Sequence, residues 1–234
     1  MHTVALVDAL LHFGSVILLA VGALLPIVDP LAGAPIYLAM TASFTHEERS
    51  RMAKAVAINS FLLLIASALI GAYVLDFFGL SIPAVQVAGG IVVCSIAWSL
   101  LHSPNSPPAM QRTGPTATEV RDPEYFSQRA FYPMTMPLTV GPGSISVALT
   151  LGANPPAGLR SLLATALAQA IGILIVALGV YLCYRYADRI LHKLGPTGTS
   201  VVVRLSAFIL LCIGVQICWN GVRALIATGL HLAS

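Results

Sequence analysis

Charge is so scarce in this chain that water cannot be its main solvent. Asp, Glu, Lys and Arg make up 9% of its 234 residues, and hydrophobic types make up 57%. A water-soluble domain needs roughly a quarter of its residues charged. Crossing the hydrocarbon core of a bilayer takes roughly 20 apolar residues. The sequence supplies such runs at about 10–44, 53–75, 84–101, 129–153, 159–183 and 201–227. They predict an all-α membrane protein with six transmembrane helices. The N-terminal stretch has no Lys or Arg before its apolar run. A cleaved signal peptide carries a basic leading region, so this stretch is read as the first membrane helix.

Two of the six runs are interrupted. The first holds Pro26, Asp29, Pro30, Gly33 and Pro35, which predicts a helix broken near 26–33. The fourth holds Pro137, Gly141, Pro142 and Gly143. Proline removes a backbone donor and clashes with the preceding turn. In hydrocarbon an unpaired backbone group is costly, so each break must be covered by protein or face a wet cavity.

The segment between the third and fourth runs, 103–128, is rich in Pro, Ser, Thr and mixed charge. It reads as a linker. The chain then divides into a first membrane repeat, 1–102, that linker, and a second repeat, 129–234. Setting Pro30 on Pro142 brings Gly79 near Gly195 and Gln86 opposite Arg204. Three helices per half is an odd number, so the repeats are expected to be inverted. Inverted repeats with interrupted helices at matching places point to a transporter whose site lies between the halves.

Orientation follows from Lys and Arg. Arg49, Arg51, Lys54, Arg112, Arg121, Arg129, Arg185, Arg189 and Lys193 fall in segments expected on one side, whereas Arg160 and Arg223 fall on the other. Positive loops stay in the cytoplasm. The expectation is a multi-pass plasma (inner) membrane protein with both termini outside and the 103–128 linker cytoplasmic.

The break Leu-Pro-Ile-Val-Asp-Pro-Leu-Ala-Gly-Ala-Pro-Ile-Tyr (25–37) resembles the first-helix motif of the MarC family, also called the six-helix neutral amino-acid transporter family. So do Phe-Gly-Leu-Ser-Ile-Pro-Ala-Val-Gln-Val-Ala-Gly-Gly-Ile (78–91) and Met-Pro-Leu-Thr-Val-Gly-Pro-Gly-Ser-Ile (136–145). The resemblance covers nearly the whole chain. It implies a six-helix integral membrane protein, with some relatives linked to small neutral amino acids. The chain departs from the pattern at Asp29, where the family usually has Asn, and at Gln86, where it usually has Arg.

Asp29 is the one carboxylate away from loops and helix ends. An ionisable group inside the membrane is a functional-site expectation, and here it is a candidate for binding a proton or cation. A helix-capping Asp is the competing reading, and the two are compatible. The rest of the expected substrate-binding centre is Pro30, Gly33, Thr139, Gly141, Pro142, Gly143 and Ser144, with Asn59 and Gln169 at similar depth in helices 2 and 5. Close packing through small residues and interhelical hydrogen bonding compete with those roles. Arg204, one turn into helix 6, is either a snorkelling side chain or a coupling or structural charge.

Cys94, Cys183, Cys212 and Cys218 read as small core residues. No metal spacing and no cofactor or nucleotide motif is present in the sequence. With no nucleophile–base pair either, an enzyme is not expected. The expected function is a secondary transporter or exporter of a small polar solute such as a neutral amino acid, working by alternating access at the repeat interface. The alternatives are a channel-like ion-conducting protein and a non-transporting membrane partner protein. Expected partners are the lipid bilayer and a small-molecule substrate. A coupling proton or cation and a homo-oligomer are open options.

Overall fold

A computed structural model describes residues 2–102, 123–153 and 158–232. The described residues are helical nearly throughout. α1 (His2–Val28) and α2 (Pro30–Met40) are the two parts of the first apolar run. α3 (His46–Phe77) and α4 (Ile82–His102) follow. α5 (Pro123–Arg129) leads into a π-helical segment, Ala130–Thr139, and then α6 (Pro142–Gly152). α7 (Leu159–Arg185) and α8 (Ala187–Leu232) complete the chain. Among the described residues, five helices are long and apolar enough to cross a membrane. The pair Phe126–Thr139 and Pro142–Gly152, bent by 75° at its break, makes a sixth if counted as one span.

The charged stretches at 46–54 and 185–193, which the sequence suggests are loops, are largely helical. α3 starts at His46 because Thr45 and Glu48 form a capping box. The Glu48 amide donates to Thr45 Oγ1 (3.3 Å), and the Thr45 amide donates to Glu48 Oε2 (2.9 Å). This satisfies donors that a helix start leaves orphaned. Thr45→Ala should therefore lower stability by about 1 kcal/mol, read as a modest fall in the thermal unfolding midpoint of detergent-solubilised protein. Of the expected linker, 103–122 lies outside the described residues, and 123–128 belongs to α5.

Two glycines make the matching turns. Gly79, which ends α3, and Gly195, where α8 bends, both have φ of 66°. That region is strained for residues with a Cβ. Beyond the bend, Thr197–Ala227 is the apolar span.

One core joins α1, α2, α3, the π-helical segment, α6 and α7 through Leu24, Tyr37, Val56, Met134, Ile173 and Tyr184. A second, smaller core belongs to α4 and α8, through Val93, Ala97 and Leu210. Those two helices cross antiparallel at backbone contact. A Cβ on Gly90 would lie 2.7 Å from both the Cys218 nitrogen and the Gly214 oxygen, and a Cβ on Gly214 would lie 3.0 Å from the Cys94 nitrogen. The Cys94 thiol donates toward the Leu211 carbonyl (3.9 Å), and the Cys218 thiol toward the Val87 carbonyl (3.4 Å). Val87, Gly90 and Cys94 are thus matched, at one constant offset, by Leu211, Gly214 and Cys218. This register differs from the alignment that sets Gln86 opposite Arg204. Outward faces carry large apolar side chains such as Leu18, Phe77 and Leu159, as lipid-facing surfaces do.

The basic segments gather at one end of the bundle. Arg49, at the start of α3, pairs with Asp188, at the start of α8. Arg51 lies over the Phe126 ring of α5 at 5.5 Å. Arg112 and Arg121 lie outside the described residues.

Candidate functional site at the two helix breaks

The first break is a single residue. Proline disfavours the right-handed helical conformation in the residue before it, and Asp29 precedes Pro30. Asp29 takes φ 40°, ψ 65°, the left-handed region. Asp tolerates that region better than most side chains. Its amide still donates to the Leu25 carbonyl (3.0 Å), so α1 runs up to it. Its Oδ1 accepts from the Ala32 amide (3.2 Å), so it caps α2. Pro30 occupies the first helical position, where a missing N–H costs nothing.

The second break is built differently. Pro133 and Pro137 supply no backbone donor in the π-helical segment. Tyr132 and Met136 are extended within it, and threonine hydroxyls bond carbonyls of the same segment: Thr135 Oγ1 donates to the Ala130 carbonyl (2.7 Å), and Thr139 Oγ1 donates to the Met134 carbonyl (2.8 Å). Val140 and Gly141 are extended, and α6 starts at Pro142. Gly141 caps α6 with no side-chain hydrogen bond. Its carbonyl accepts from Ser144 Oγ (3.0 Å) and from the Ile145 amide (3.1 Å). α2 and α6 are therefore both 11-residue helices that open on proline after a non-helical residue.

The breaks meet through Tyr184 of α7. Its Oη lies 3.0 Å from Thr139 Oγ1. The same oxygen occupies the space beside Gly33, where an added Cβ would lie 2.5 Å from it. Tyr184 also stacks on Tyr37 of α2, with ring centroids 4.4 Å apart and planes at 13°. Both tyrosines are fully buried. Gly33 and Thr139 are thus brought together, and Asp29 sits one turn before Gly33.

The other expected residues are placed elsewhere. Gly143 packs on Val93 of α4, and the buried Ser144 hydroxyl is spent on its own turn. Gln169 is buried and donates from Nε2 to the Leu151 carbonyl (2.5 Å), tying α7 to α6. Asn59 is half-buried on α3, next to Ser60, whose buried hydroxyl has no hydrogen-bond partner among the described residues. Arg204 is exposed on α8. Gln86 Nε2 donates to Thr150 Oγ1 (3.1 Å), joining α4 to α6. Among the described residues no group of three or more His, Cys, Asp or Glu could hold a metal ion.

Sequence reasoning missed Tyr37 and Tyr184. A tyrosine near a helix end is ordinarily assigned to the interfacial belt, and only the fold turns both rings inward. Tyr37 does close the first-break motif, which was a signal available from the sequence.

Residues 14–226 match the sequence model of a family described as "MarC family integral membrane protein". The chain is similar to "UPF0056 membrane protein MJ1677" of Methanocaldococcus jannaschii, with 29% identity over 88% of this chain and 95% of that protein. It is similar to "UPF0056 inner membrane protein MarC" of Salmonella paratyphi A, with 29% identity over 88% of this chain and 93% of that protein. The protein of the same name in Salmonella arizonae is 30% identical, over 88% and 93% respectively. No solved structure matches the chain.

Proposed function

This chain belongs to the MarC family of integral membrane proteins, and from that premise we propose that it is a secondary transporter of a small polar solute such as a neutral amino acid. In this reading, residues 1–102 and 129–234 are inverted three-helix repeats joined by 103–128, and alternating access occurs where they meet. The membrane is the inner membrane, as the names of the Salmonella relatives suggest. Both termini lie outside and the basic end of the bundle faces the cytoplasm.

The observation that carries the reading is the pair of matched breaks. Two 11-residue helices open on proline, and Gly33 of one break and Thr139 of the other meet at a single tyrosine oxygen. The matched turns at Gly79 and Gly195 and the matched thiol–carbonyl bonds of α4 and α8 support the repeat. Broken helices offer backbone amides and carbonyls to a solute at membrane depth. The two breaks also differ in sign. Asp29 supplies a carboxylate at the first, suited to an ammonium group or a coupling cation. The start of α6 has no side-chain cap, and its dipole favours a carboxylate. A zwitterion of glycine, alanine, serine or threonine satisfies both. Pro30, Gly141, Pro142, Gly143 and Ser144 shape these ends, Arg204 is a structural charge, and Gln169 ties α7 to the far end of α6.

The test is counterflow in proteoliposomes loaded with one of these four amino acids in unlabelled form. Saturable accumulation of the labelled form, several-fold above protein-free vesicles, is the expected result. Flux that rises linearly with concentration and shows no counterflow would mean a channel-like protein instead. No exchange from protein of normal size-exclusion profile would reject these four substrates.

A further inference from the structure

The contacts between the breaks and the basic end of the bundle form a layered closure. Outermost, Arg49 pairs with Asp188. Arg49 also donates to the Thr41 carbonyl (3.2 Å) and the Phe44 carbonyl (3.3 Å), so it grips the turn between α2 and α3. Next, Tyr37 Oη donates to the Arg49 carbonyl (2.6 Å), which fixes the Tyr37 ring to the start of α3. Tyr37 then stacks on Tyr184. Innermost, Tyr184 Oη meets Thr139 and fills the space left by Gly33. Every layer joins a residue of α2 or α3 to one of α7, α8 or the second break, or anchors one that does.

The opposite side of α3 is closed differently. There Leu149 of α6 seats in the space of Gly71, and Gly152 rests on the Ala68 backbone. That contact packs a leucine against one glycine and backbone against another, and leaves no room for a further side chain. The tyrosine layer instead consists of one partly exposed ion pair, one ring stack and two hydroxyl bonds. Each rests on at least one side chain rather than on backbone packed against backbone. An ion pair with an exposed partner is weak and easily broken, and Asp188 is 48% exposed in its side chain.

We propose that Tyr37 and Tyr184, latched by Arg49 and Asp188, are the gate between the helix breaks and the basic face. This rests on the transporter reading above. Opening would swing Tyr184 off Thr139 and Gly33 and uncover the polar groups of both breaks from that side only. The gate is shut in this structure.

Accessibility to an impermeant thiol reagent tests this without requiring flux. The reporter is Gly141→Cys in a background where Cys94, Cys183, Cys212 and Cys218 are replaced by Ala. A side chain fits there, since the nearest atom to an added Cβ is the Pro137 oxygen at 3.5 Å. Ser144→Cys, near-isosteric, is the second reporter. Membrane vesicles of known sidedness are treated with a charged methanethiosulfonate from either face. Asp188→Asn and Tyr184→Phe, which keep surface shape and ring packing, should each raise the labelling rate from the basic face at least tenfold. Labelling from the other face should be unchanged. Unchanged labelling from the basic face in both variants, with normal size-exclusion profiles, overturns the gate. So does an equal rise from both faces, which would mean general loosening. Faster labelling in protein that exchanges no amino acid keeps the gate and removes the transport reading; amino-acid exchange with unchanged labelling does the reverse.

Discussion

Gly90→Ala combined with Gly214→Ala should leave little folded protein. Each new methyl would stand about as close to a backbone atom of the facing helix as to its own chain. The partners are the Cys218 nitrogen and Gly214 oxygen at 2.7 Å, and the Cys94 nitrogen at 3.0 Å. A flexible side chain could turn away from such a contact, but a helix backbone cannot. The helices must separate, which breaks the thiol bonds to Leu211 and Val87 and opens the small core around Val93 and Leu210. Overpacking typically costs about 1–3 kcal/mol per site, and both sites strain the same crossing. The expected readout is loss of the monodisperse size-exclusion peak, or a thermal midpoint lower by ten degrees or more. Gly14→Ala and Gly22→Ala are the controls. An added Cβ at either meets nothing within 4 Å, and alanine favours a helix interior by about 0.5–1 kcal/mol over glycine. Those variants should be as stable as the parent or more so. A double variant that behaves like these controls would show that the crossing is looser than described.

Asp29 is expected to separate two roles by chemistry. The substitution Asp29→Asn would keep the cap, because asparagine accepts from a helix amide as well as aspartate does and tolerates the left-handed conformation. It would remove the charge and the exchangeable carboxyl proton. This variant should therefore keep the parent thermal midpoint, within about 0.5 kcal/mol of stability, while amino-acid exchange driven by a proton or cation gradient falls at least tenfold. Asp29→Ala should lose the cap as well, at about 1 kcal/mol. Gradient-driven exchange by Asp29→Asn at the parent rate would make Asp29 a cap and nothing more.

Much of the scaffold is legible in the sequence because lipid imposes simple rules. Apolar runs must be helices, so the spans follow from composition. Proline fits best at the first position of a helix, and Pro30 and Pro142 mark the starts of α2 and α6, whereas Pro26 and Pro35 lie inside α1 and α2. Gly79 and Gly195 are legible as a pair because a left-handed turn leaves little choice of residue. Thr45-x-x-Glu48 was equally legible as a helix start, yet charge made the stretch look like a loop. The register of the α4–α8 crossing was not recoverable from Gln86 and Arg204. It is set by backbone approach at Gly90 and Gly214, and small residues are too common in these helices to mark one crossing. Tyr184 was hidden for a different reason. Its role comes from Gly33 and Thr139, which lie in two other elements, and no local pattern encodes that meeting. Gln169 shows the converse. A polar residue in a membrane helix invites a functional reading, but its amide is spent on the Leu151 carbonyl.

The α4–α8 crossing also sets an order of assembly during synthesis. α4 is complete long before α8 leaves the ribosome, and α4 presents Gly90 and Cys94 to a helix that does not yet exist. Until then its small-residue groove must be held by lipid or by an insertion factor. α8 is made after α4, so until Gly214 has been synthesised α4 lacks its partner at this crossing. Co-expressed halves would still need this crossing to find one another.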